Sequence, residues 1–307
     1  MQGPLQKFPM TDVCTDETMA LALDGLAQSA AMLKNDKKTL PLTKGASVAV
    51  IGPQANMSSS TFSYYGPSKP CDGKFWSLTD AVAKYGGEVK TTLGVPSDGS
   101  EDVSGIPAAV EMAASADTVV LALGVDLSWA HEGHDSTTLQ IPAAQMALVA
   151  QTTAAAKSPV TVVFFCANPL DISALLSNPK IGAIIHVSSC LVIWSSARLR
   201  TCARACAHLP TSILKSDLLR VSRRASQVGQ PSVTIYGLAE VLFGMRSPAG
   251  RTIQTIYEAS CKSTCNFRCA SRCILHASLF QQAHGTFAGG VFQTPTRSPS
   301  SILTCAR

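Results

Sequence analysis

Three runs of uncharged, largely β-branched residues constrain this fold most: TVVLAL at 118–123, VTVVFFCA at 160–167 and IGAIIHV at 181–187. Runs of this length without polar alternation read as strands covered on both faces. Shorter strand patterns occupy 47–51 and 88–93. Helical patterns over 15–34, 76–85, 106–116, 143–157 and 169–177 fall between and before them. The first helix starts at Thr15 as N-cap, with Asp16 and Glu17 in its first turn. Leu21, Leu23, Leu26, Ala30 and Leu33 form its apolar face. Gly52-Pro53 and Gly86-Gly87 are stop signals, and 238–243 is a further short helix closed by Gly244. Strands alternating with helices mean βαβ units, so the expected fold is α/β: a mostly parallel sheet with helices on both faces, an α/β sandwich.

Composition enters because it changes abruptly. Residues 1–187 carry 11 Lys/Arg against 17 Asp/Glu and three cysteines, whereas 188–307 carry 14 against 3 and eight cysteines. The pattern of elements fails over 188–228, returns at 229–260 and fails again from 261. The expected organisation is therefore a linker (1–14), the first part of the sandwich (15–187), a disordered or non-native insert (188–228), a closing segment (229–260) and a disordered tail (261–307). Translated non-coding or frame-shifted sequence is the expectation for the insert and tail. The arginines of the rear are scattered without period or interleaved aromatics, which argues against nucleic acid as a partner. No run of about 18 apolar residues reads as a membrane span. MQGPLQKFPMTDVC has no signal-peptide core, so the chain reads as not exported if Met1 is the true start.

The chemistry concentrates in GVDLSWAHEGHDS, just past the 118–123 strand, where open α/β sheets place ligands. Its titratable groups are Asp126, His131, Glu132, His134 and Asp135. Asp126 is expected to cap local backbone N–H groups, and Pro142 to open the helix that follows. H-E-x-H is not the H-E-x-x-H that puts two histidines on one helical face, and Gly133 argues against a helix, so no metal is expected. Cys261, Cys265, Cys269 and Cys273 recur every four residues without the longer spacer of a zinc site. VIGPQAN lacks G-x-G-x-x-G, and no nucleotide cofactor is expected.

LALDGLAQSAAMLKNDKKTLPL, VAVIGPQAN, SYYGPSKPC, the acidic loop, VFFCANPLDIS and GLAEVLFGMRSPAGRTIQTIY together resemble the C-terminal α/β sandwich domain of glycoside hydrolase family 3, leaning towards its β-xylosidase-like branch. The match covers 12–187 and 229–257. The resemblance implies a retaining, exo-acting β-glycosidase acting on a β-linked oligosaccharide or glycoside. It also implies a partner, the N-terminal barrel that supplies the nucleophilic Asp, behind which this chain begins. A full-length form would be secreted, with Cys71 a loop cysteine able to pair. Where that branch reads Glu-Ala-Glu-Gly, this chain has Ala130-His131-Glu132-Gly133. Glu132 is then either the acid/base or a structural or sugar-orienting carboxylate. Asp135 either braces the loop or binds substrate, with His134 and Tyr65 further substrate-binding candidates, and Tyr64, Tyr65 and Trp76 either stack on a sugar ring or pack against the sheet edge. Ser136 stands where the family carries an Arg, and its loss is expected to weaken the loop.

Overall fold

The computed structural model describes residues 14–57, 76–131, 133–166, 168–187, 235–252, 256, 258 and 259. The chain forms α1 (Asp16–Ser29), β1 (Ala31–Asn35), a short 3-10 turn (Asp36–Lys38), β2 (Val48–Ile51), α2 (Leu78–Ala83), β3 (Val89–Thr92), α3 (Ile106–Ser115) and β4 (Thr118–Gly124). Next come α4 (Ala143–Ala155), β5 (Val160–Phe165), α5 (Ser173–Ser177), β6 (Ile181–Val187) and α6 (Ile235–Leu242). The six strands form one sheet in the order β1-β6-β5-β4-β2-β3. β2 to β6 are parallel, and β1 joins the β6 edge antiparallel.

Each central strand sends alternate side chains into two separate cores, because strand residues alternate faces. Val119, Leu121, Leu123, Val162 and Phe164 meet α3, α4 and α5. Val120, Ala122, Val163, Phe165 and Ile185 meet α1, α2 and α6 on the opposite face. The α/β sandwich expected from alternation is what the chain forms.

Local signals act as read. Thr15 accepts a hydrogen bond from Thr18 N at the start of α1; Ser77 and Asp80 add a reciprocal capping box on α2 that sequence reasoning did not single out. Gly244 ends α6 at φ +73°. Two expectations are corrected. Leu21, read as part of the apolar face of the first helix, is exposed. The first helix stops at Ser29 rather than running to residue 34, and 31–35 is strand β1. The segments 188–228 and 261–307, the linker to residue 13, and Tyr64, Tyr65, Cys71 and Glu132 lie outside the described residues.

Candidate functional site

Strand order decides where a site can form. From β2 the chain moves outward to β3, then returns to place β4 on the other side of β2. The crevice between β2 and β4 is therefore the topological switch point, where parallel sheets admit ligands beyond the strands' C-terminal ends. Both strands leave it through glycine. A Cβ on Gly52 (φ +133°) would lie 2.1 Å from Ala122 O, and one on Gly124 (φ +148°) 1.8 Å from Phe165 O. Only glycine tolerates both the angle and the approach.

The acidic loop rises from β4 at this crevice. Asp126 Oδ1 accepts from Ser128 N at 2.9 Å and from Ser128 Oγ at 2.5 Å, the local cap expected of it. Trp129 Nε1 donates to Ser136 Oγ (3.0 Å), and Ser136 Oγ donates onward to Thr138 O (2.8 Å). The chain reverses between His131 and His134, whose backbones exchange two 2.9 Å hydrogen bonds. Gly133 takes φ +81° in that turn. The two imidazole rings lie 5.3 Å apart. At its far end the loop is tied by Asp171 N donating to Leu139 O (2.6 Å).

His134 and Asp135 are thus placed at the exposed tip of the loop, while Glu132 and Tyr65 lie outside the described residues. Asp135 is exposed and makes no hydrogen bond or ion pair to another described residue. Ser136 links Trp129 to Thr138 across the loop. Trp76 packs its ring 5.8 Å from Tyr236 on α6, a packing contact. Among the described residues no group of three or more His, Cys, Asp or Glu is arranged to hold a metal.

Beneath the loop lies a polar cluster that sequence reasoning missed. Asp98, after β3, is 4% exposed. Gln54, after β2, donates Nε2 to its Oδ2. Gln145 of α4 donates Nε2 to Asp98 O (2.8 Å) and to Gly124 O (2.7 Å), and accepts from Gly124 N (3.1 Å). Burial, reinforced by the Asp126 charge and opposed by the Gln54 hydrogen bond, pushes Asp98 from its ordinary 3.8 up to about 8. Cys166, at the end of β5, is driven by burial up to about 12, and its Sγ donates to Asn168 O, so it is no thiolate nucleophile. Of these groups only Gln145 left a trace in sequence, as a polar residue on the apolar stripe of a helix.

Comparison with known proteins matches residues 30–190, just over half of the chain, to the model described as "Glycosyl hydrolase family 3 C-terminal domain". A probable β-D-xylosidase 6 of Arabidopsis thaliana is 33% identical over 188 residues, covering 61% of this chain and 23% of the relative. A probable exo-1,4-β-xylosidase of Aspergillus fumigatus is 37% identical over 183 residues, covering 59% and 23%. The chain thus spans about a quarter of the length of these relatives. Among solved structures, a GH3 exo-β-xylosidase (XlnD) in complex with a xylobiose aziridine probe superposes with a TM-score of 0.64 at 25% identity, covering 84% of this chain and 28% of that one. A Listeria innocua β-glucosidase in complex with isofagomine shares the fold at a TM-score of 0.60 and 19% identity, covering 84% and 30%. The matched motifs, the six-stranded sandwich and the loop at its switch point lead to one conclusion: this chain belongs to glycosyl hydrolase family 3 and carries its C-terminal domain.

Proposed function

We propose that this chain works as one wall of the sugar pocket in a β-xylosidase-like retaining glycosidase, presenting Glu132 to a scissile β-linkage whose nucleophile comes from a barrel domain. The observation that carries this reading is the acidic loop standing at the switch-point crevice of a family 3 sandwich. Retaining hydrolysis needs two carboxyl groups about 5–5.5 Å apart, one attacking and one protonating the leaving oxygen. Asp126 is engaged with Ser128, and Ala130 offers no carboxylate. On this reading the loop supplies the acid/base and the barrel the nucleophile, so turnover needs both. Cys14 is disulfide-bonded, which fits an oxidising, extracellular setting for the working enzyme.

The test combines the chain, as wild type and as Glu132→Gln, with a separately expressed family 3 barrel and p-nitrophenyl β-xyloside. Turnover is expected only with the barrel, falling roughly 10²–10⁴-fold with Glu132→Gln, the usual worth of a general acid. Turnover indifferent to that change would remove Glu132 from the chemistry. A second reading, a non-catalytic carbohydrate-contacting module, is favoured by Ala130 and by the exposed Asp135, which has no partner among the described residues. It predicts that xylobiose shifts the loop's NMR resonances while no hydrolysis follows even with the barrel.

A further inference from the structure

The proposed hydrolysis makes no use of the buried cluster below the loop, yet four segments converge there. Gln145 grips both the N–H and the C=O of Gly124, the residue from which the loop departs, and with the same amide nitrogen it holds the Asp98 carbonyl. The root of the loop and the seat of Asp98 are thus fixed by one side chain. Above them, the Trp129 ring approaches the backbone beside Asp98: a Cβ on Gly99 would lie 3.8 Å from it.

We propose that Asp98 is the positioning residue of the acidic loop: its side chain pairs with Gln54 as an acid–amide couple, and that pairing holds in place the 98–99 backbone, which Gln145 ties to Gly124 and which the Trp129 ring approaches. That the loop belongs to a sugar pocket rests on the function proposed above; the seating itself does not. An orphaned atom supports the pairing. Gln54 Oε1 is buried and accepts no hydrogen bond among the described residues, while its Nε2 already donates to Asp98 Oδ2. A carboxylic acid facing a primary amide makes two complementary bonds, amide N–H to acid C=O and acid O–H to amide C=O. The O–H of Asp98 is the donor that Gln54 Oε1 needs. A carboxylate there would offer only acceptors and leave that oxygen unsatisfied in a buried site, which is unfavourable.

The environment keeps the acid form at neutral pH, since burial and Asp126 push Asp98 up to about 8. Asp126 of the loop and the Cys166 thiol at the end of β5 are the titratable groups that face it among the described residues. Gln54 and Gln145, from the β2 and α4 sides, are neutral. Ionising Asp98 therefore breaks the couple and sets two carboxylates against each other at the root of the loop.

The full chain labelled with 5-fluorotryptophan tests this without any glycoside. A failure here is thus distinct from failure of the hydrolase reading. The Trp129 fluorine resonance is assigned by its loss in Trp129→Phe and followed across neutral and alkaline pH. It should titrate with a midpoint near 8 in the wild type. Asp98→Asn, which keeps an amide-compatible partner but cannot ionise, should hold it at its low-pH position throughout. Asp126→Asn should move the midpoint down by about one pH unit by removing a like charge. A Trp129 signal that ignores pH, or one that titrates unchanged in Asp98→Asn, overturns the proposal. Should Asp98→Asn fail to fold, an unmoved midpoint in Asp126→Asn does the same.

Discussion

Gln145 sits where the stripe of a helix calls for hydrocarbon. It is buried in line with Leu148, Val149, Thr152 and Thr153 on α4, and the sequence period reveals that face. Nothing local reveals that its amide reaches two other segments, because those contacts lie 21 and 47 residues away. Asp98 was hidden for the opposite reason: Ser-Asp-Gly-Ser reads as an exposed turn, and its burial comes from the loops folded over it. Asp126 was legible because its partner, Ser128, is two residues on. Burial of Asp98 also gives stability a predictable slope. An unfolded Asp ionises near 3.8, whereas the folded group does so near 8. Between those values the folded chain binds the extra proton, so the stabilisation from Asp98 is complete below pH 4 and is lost progressively up to about pH 8. Urea midpoints measured across that window should fall less steeply in Asp98→Asn, by on the order of 1 kcal/mol per pH unit. Parallel wild-type and variant profiles would mean that Asp98 titrates normally.

Elements were most legible where periodicity was long and unmixed. β4, β5 and β6 needed only their uninterrupted apolar runs. The junction of α1 and β1 was not legible because Ala30 and Leu33 fit a helical stripe as well as Ala31 and Leu33 fit a strand. Tertiary pairing decides the matter: β6 offers a free edge, and 31–35 fills it with Ala31 opposite His186 and Asn35 opposite Ala183. Lys34 then reaches the carbonyls of Leu176 and Asn178 at 2.8 and 3.1 Å. The shortened α1 packs against α6, and Gly237 makes their crossing possible: a Cβ there would lie 2.2 Å from Leu23 O. The same interface carries Arg246 between Glu240 and Asp24, a partly exposed pair of contacts expected to add little. Gly237→Ala should therefore destabilise the domain by about 1–3 kcal/mol through overpacking against backbone, despite alanine's better helix propensity. A chemical-denaturation midpoint equal to or above wild type would show that the two helices are free to separate.

At the scale of the whole molecule, the closing segment joins the two cores. α6 completes the face shared with α1 and α2, with Leu42 N donating to Leu242 O at 2.8 Å. The chain then passes the start of β1, where Gly250 N donates to Ala30 O (2.9 Å). It reaches the opposite face, where Ile256 packs on the other core and Ala259 N donates to Asp171 Oδ2 (2.8 Å). Asp171 in turn caps Ser173 of α5 and meets the end of the acidic loop at Leu139. The strap that closes the fold is thus also a support for the candidate site. Among the described residues the two cores run from Leu26 to Ile256. Removing 261–307 should leave the unfolding midpoint unchanged, whereas removing everything from residue 235 exposes one whole core face and should abolish cooperative unfolding. Deleting 188–228 leaves 229–234 to connect β6 to α6, within the span of ordinary strand-to-helix loops. That shortened chain should fold to the same sandwich and unfold at an equal or higher midpoint, since a shorter loop costs less entropy to close. Loss of cooperative unfolding on that deletion alone would make 188–228 an integral part of the domain, against its expected role as an insert.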